Sequence, residues 1–98
     1  MDVIKNVPIS KRARPLETVL SQDVDGLVVI LDLAQGEYYG LNEVGSRIWT
    51  LLSEGMKVSR VLQDLVKQFD ISEDVLESDL NKFLSELGSK NIVEFYDE

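Results

Sequence analysis

Ninety-eight residues make one domain with a single core, and a chain of this size buries only roughly 60–65% of the surface it exposes when unfolded. With no cysteine and no histidine, the chain has no disulfides, thiolate nucleophile or Cys-based metal site, and it lacks the commonest general base and transition-metal ligand. Ten Lys and Arg against eighteen Asp and Glu leave a net charge of −8, with hydrophobic residues at an ordinary 44%.

Residues 1–17 carry Pro8 and Pro15 with Lys11, Arg12 and Arg14 between them. They read as a flexible basic N-terminal arm or an edge segment, set apart from a folded domain over 18–98. Met1 to Ser10 contains no apolar h-region, so a cytoplasmic location is expected. Residues 1–18 hold Lys5, Lys11, Arg12 and Arg14 against Asp2 and Glu17, a net of +2, so the remainder carries −10. So acidic a body repels phosphate backbones and anionic lipid, which argues against nucleic-acid or membrane partners and favours basic ones.

Thr18 to Gln22 reads as a short strand, followed by turn chemistry in Asp23-Val24-Asp25-Gly26. Leu27 to Leu33 is predicted as a strand, an aliphatic and β-branched run bounded by Gly26 and by Ala34-Gln35-Gly36. Its longest apolar stretch, Leu27 to Leu31, falls far short of the ~20 residues that span a bilayer. Leu27, Val29, Leu31 and Leu33 share one face and Val28, Ile30 and Asp32 the other, so both faces are expected to need cover. Glu37 to Leu41 returns through Gly36 as the partner strand of a hairpin.

From Asn42 the period changes from two to about 3.6. Asn42 caps a first helix with Val44, Ile48, Leu51 and Leu52 in one stripe, and Gly55 ends it. A second helix runs from about Val58 to Phe69, its N-cap at Lys57, Val58 or Ser59. Ser72 caps a third, Glu73 and Asp74 suit its dipole, and Leu76, Leu80, Phe83, Leu84 and Leu87 form its core stripe up to Gly88, which is expected to stop it. Ile92, Val93 and Phe95 make an apolar tail. Three strands followed by three helices predict an α+β domain of winged helix-turn-helix type, with a three-stranded antiparallel sheet.

On a wheel of about 100° per residue, Val75, Asp79, Lys82 and Glu86 of the third helix fall on one flank, with Leu76 and Phe83 at its boundary. An apolar Val75 outside the core arc marks this flank as a groove wall. Glu37, Tyr38, Tyr39, Gly40 and Leu41, if they form a sheet edge, offer unpaired N–H and C=O groups to an incoming extended peptide. Gly40 leaves the backbone approachable, and Tyr38 and Tyr39 point to opposite faces, so one of them is available to line a groove. Two readings compete. Helices two and three resemble a DNA-binding helix-turn-helix, but the recognition helix carries Glu73, Asp74, Glu77, Asp79 and Glu86 against Lys82 and Lys90, a net of −3. A metal site finds no EF-hand spacing, and no cofactor or metal is expected.

The segment Leu31-Asp32-Leu33 through Gly36-Glu37-Tyr38-Tyr39-Gly40-Leu41-Asn42-Glu43-Val44-Gly45 and Ile48-Trp49 resembles the PqqD-like proteins. The spacing of Val61, Leu62, Leu65, Phe69, Val75, Phe83, Leu84, Leu87 and Ile92 continues the likeness over about residues 18–95. The resemblance implies a RiPP precursor recognition element, in which a leader peptide adds as a further strand to the third strand and lies against the third helix. Carried onto this chain, those elements are Glu37–Leu41 and the wall of Val75, Leu76, Asp79, Lys82, Phe83 and Glu86. Its Gly-x-Tyr-Tyr-x-Leu-Asn pattern is similar to the stand-alone leader-binding subunit of lasso-peptide systems. That likeness implies a non-catalytic role, a separate cysteine protease as partner, and an asparagine-synthetase-like cyclase. The alternatives are a PqqD-type chaperone for a radical-SAM enzyme and a winged-helix DNA-binding regulator.

Overall fold

A computed structural model describes residues 10–97 of the chain. Strands β1 (Arg12–Pro15), β2 (Val19–Val24), β3 (Leu27–Asp32) and β4 (Glu37–Gly40) come first. Helices α1 (Glu43–Ser53), α2 (Val58–Gln68) and α3 (Glu73–Ser89) follow, and strand β5 (Val93–Tyr96) closes the order. The three-stranded antiparallel sheet β2-β3-β4 is the one the sequence predicts and packs one face on the helices, while β1 and β5 form a second, two-stranded sheet that the sequence does not predict.

Each hairpin is set by a few residues. Between β2 and β3 the loop is Asp25-Gly26, both in the left-handed region, the backbone twist that joins antiparallel strands in two residues. Asp23 Oδ1 holds it by accepting from Gly26 N at 2.8 Å. The β3–β4 turn uses Asp32, whose side chain is only 2% exposed. Its Oδ1 accepts from the N–H groups of Ala34 and Gln35 at 3.1 and 3.3 Å, so the buried carboxylate is satisfied by the turn it shapes.

Val28 and Ile30 enter the core on the same face as Asp32, whereas Leu27, Leu31 and Leu33 remain substantially exposed. The expectation that both faces of this strand need cover is therefore corrected, because three short helices suffice for one face only. The covered side meets Ile48, Trp49, Leu51 and Leu52 of α1, Val58, Val61 and Leu65 of α2, and Leu76, Leu80, Leu84 and Leu87 of α3 in one continuous core.

Asn42 and Ser72 cap α1 and α3 as expected, accepting from Gly45 N and Val75 N. Gly55, at φ +88°, follows α1, and Lys57 caps α2 without a side-chain bond. Gly88 does not stop α3, which continues to Ser89 and turns at Asn91 with φ 59°. A Cβ on Gly88 would lie 3.3 Å from Phe95 Cε2, so this glycine admits the β5 ring against the helix.

The expected arm is also revised. Met1–Ile9 lie outside the described residues, but Arg12–Pro15 pairs in antiparallel register with Val93–Tyr96 and buries Ala13 completely, so the edge reading holds there and the folded body begins ahead of residue 18. Arg14 Nε reaches Glu94 at 2.8 Å while its guanidinium lies 4.5 Å from the centre of the Tyr96 ring. Among the described residues no helix is long and apolar enough to cross a membrane.

Candidate functional site

β4 is an edge of the three-stranded sheet. Leu41 N donates to Val28 O at 2.9 Å, and since ladder bonds alternate along an antiparallel pair, Tyr39 and Glu37 also face β3. Tyr38 and Gly40 therefore direct their N–H and C=O groups away from the sheet, four backbone groups on an open edge. Immediately after β4 the chain must enter α1, and Ser46 fixes how it does so. Its buried hydroxyl accepts from Val28 N at 2.8 Å and donates to Leu41 O at 3.4 Å, bonding the first turn of α1 to the end of the hairpin.

This connection leaves a groove between the β4 edge and α3, made of two adjoining concavities of about 260 and 310 Å³. Asn42, Gly45, Phe83 and Glu86 line both. Gly45 forms the floor, where a Cβ would stand 3.3 Å from Asn42 Oδ1 and 3.6 Å from Phe83 Cε1. Towards β5 the groove is walled by Tyr39, Leu41, Leu87 and Ile92, and towards the N-terminus of α3 by Val44, Ile48, Asp79 and Lys82.

Its rim is charged with alternating sign along α3, Asp79, Lys82, Glu86 and Lys90. Lys90 Nζ sits 4.6 Å from the centre of the Tyr39 ring, and the Tyr39 hydroxyl donates to Glu37 Oε1 at 2.7 Å. That hydrogen bond, reinforced by desolvation and by the charges of Glu37 and Asp32, pushes the phenol above its ordinary value of 10.0.

The structure brings together most of the residues singled out from sequence. Tyr39, Gly40, Leu41, Asp79, Lys82, Phe83 and Glu86 line the groove, and Glu37 borders it through Tyr39. Of the tyrosine pair it is Tyr39 that faces the groove. Tyr38, 75% exposed, stands on the opposite, open face of the sheet across from Leu31. Leu76 is corrected: it is fully buried and ties α3 to the core, offering no surface to a ligand. Val75, 49% exposed, extends the α3 stripe past Asp79 but does not line either concavity.

Asn42, Val44, Gly45, Ile48, Leu87, Lys90 and Ile92 were not anticipated as lining residues. Asn42 was legible as a cap and Ile48 and Leu87 as core. That they also face the groove follows from the angle between α1 and α3, which no local pattern encodes.

Chemically the site offers an unsatisfied strand edge, an apolar floor and a charged rim. Among the described residues no cluster of His, Cys, Asp or Glu is placed to hold a metal ion.

The family model for Coenzyme PQQ synthesis protein D (PqqD) matches residues 28–93. No curated protein matches the chain in sequence. A solved structure of TbiB1 in complex with the TbiA(beta) leader peptide is 35% identical and superposes with a TM-score of 0.78, covering 87% of this chain and 99% of that one. A lasso peptide synthetase B1 complexed with the leader peptide, 23% identical with a TM-score of 0.77 over 85% of this chain and 98% of that one, shares the fold.

Proposed function

The chain belongs to the PqqD family, and from that premise we propose that it is a non-catalytic recognition domain that captures the leader segment of a ribosomally made precursor peptide. The observation that carries this reading is the open β4 edge beside the groove lined by Gly45 and Phe83. An extended leader pairs with the backbone of Tyr38 and Gly40, and its inward side chains enter the groove between Tyr39, Gly45 and Phe83. The further partners of this reading, carried from the sequence resemblance to lasso-peptide systems, are a separate cysteine protease that removes the leader and a cyclase that acts on the remaining core.

Four strand-type hydrogen bonds at about 0.5–1.5 kcal/mol net contribute about 2–6 kcal/mol. Two or three apolar anchors at about 1.5–3 kcal/mol each add as much or more. Set against an association cost of at least ~4 kcal/mol and the ordering of a flexible peptide, the surplus corresponds to a Kd from about micromolar to tens of nanomolar. Such affinity suits a ligand that must be handed on.

The test is a calorimetric titration of the full chain with the TbiA(beta) leader peptide and with the chain's own precursor leader. Phe83→Ala will weaken binding at least tenfold, about 1.4 kcal/mol, while the fold survives on Leu76, Leu80, Leu84 and Leu87. Amide shifts on titration that spare both Glu37–Leu41 and Asp79–Glu86 would overturn the reading.

A further inference from the structure

The sheet β2-β3-β4 has a second face that none of the described elements covers. Pairing register alternates residues between its two sides. Val19, Val28, Ile30 and Asp32 go to the core, while Leu20, Val24, Leu27, Leu31 and Tyr38 go to the open side. Gln22, Val29 and Gly40 fill the positions between them, and Leu33, just past β3, extends the exposed run. In register, Leu20, Leu31 and Tyr38 stand side by side as one apolar row across all three strands, 54%, 39% and 75% exposed.

Two properties of this face say what it fits. The first is charge. Charged side chains make up 29% of the chain and leave it at −8, yet no residue on this face carries a charge. The basic partners that so acidic a body attracts find no carboxylate here, so what fits is apolar and uncharged. Two copies of the chain repel each other through their net charge, and they meet with least repulsion where both surfaces are uncharged. Each copy presents such a surface to the other.

The second property is area. Together the exposed side chains offer on the order of 600 Å² of apolar surface, the upper end of what a soluble monomer carries. Two such faces brought together bury on the order of 1,200 Å², the lower end for a specific interface. Aligned sheets pack about 10 Å apart with their strands within about 30° of each other, a geometry that sets the row around Leu31 against its counterpart. We propose that two copies of this chain associate through the open face of β2-β3-β4, sheet against sheet about a two-fold axis, as a weak dimer. Both β4 edges stay open in it, so the dimer goes beyond leader capture and does not depend on it.

Sedimentation equilibrium of the full chain without peptide, from micromolar to millimolar concentration, tests this. The average mass is expected to rise from 11.1 kDa towards twice that value. Added salt, by screening the net charge, will tighten the association. Leu31→Lys puts an ammonium in the middle strand of the face, and Leu20→Lys puts one beside it. Each will hold the mass at 11.1 kDa, whereas Val66→Lys, at an exposed apolar position on α2, will leave the dimer intact. A wild-type chain that stays at 11.1 kDa throughout overturns the proposal. So does an association that survives both Leu31→Lys and Leu20→Lys, which would place it at a strand edge, or one that salt weakens, which would rest it on ion pairs.

Discussion

Three side chains govern the groove between β4 and α3, each by a different physical means. Phe83 is half-buried at the seam between two concavities and supplies its apolar contact. Ser46 shapes it from below, since its hydroxyl accepts from Val28 N where the β3–β4 ladder gives way to α1. Ser46→Ala leaves that N–H unpaired in the core, costing about 1–3 kcal/mol, and in a domain of this size each kcal/mol lowers the melting temperature by roughly 4–8 °C. A thermal melt checks this, and an unchanged Tm would mean the hydroxyl bears no weight.

Tyr39 is held against Glu37. Because the phenol is raised above its ordinary value, the stabilisation from that hydrogen bond is fully present below pH 10.0 and is lost as pH rises through the higher native value. In an ultraviolet absorbance titration Tyr39 will ionise later than an ordinary phenol, and Glu37→Gln will bring it back towards 10.0. The same change frees the ring from its position under Lys90, so leader affinity should fall with it.

At the scale of elements, β4 matters for its unused half. The amides of Tyr38 and Gly40 should exchange quickly with solvent in the free protein and slow by at least tenfold with leader bound. The Tyr39 amide, already bonded to β3, should be protected in both states. Equal slowing at all three positions would indicate general rigidification in place of strand addition.

The elements themselves were largely legible. Leu27–Asp32 and Glu37–Gly40 are bounded by turn residues with one workable geometry each, and the three helices carry caps and stripes that agree. What was not legible needed distant partners. Arg12–Pro15 has two arginines, a proline and only four residues, so no period emerges, and its partner is some eighty positions away, as the Arg14–Glu94 pair shows. Gly88 resembles a helix stop because glycine usually is one, and only the Phe95 ring explains it within α3. For the groove, the wheel placed Asp79, Lys82 and Glu86 on the flank of α3 that lines it but missed its boundary. Leu76 and Val75 differ by one position, and the tilt of the helix decides that the first is core and the second lies beyond the groove.

For the whole molecule, the two-stranded sheet has a mechanical meaning. Arg12 stands opposite Tyr96 and Pro15 opposite Val93, so both ends of the described chain leave from the same, outer end of this ladder, where Lys11 and Asp97 approach to 3.9 Å. Tension applied between the two ends therefore peels the pairs apart in succession, as a zipper opens, and never loads them together in shear. In a single-molecule pulling experiment with handles at both ends, the β1–β5 clasp will release in an early low-force step, ahead of the core. A single high-force rupture would contradict it. Fusion of a neighbouring protein at either end would accordingly strain the clasp before it disturbs the groove.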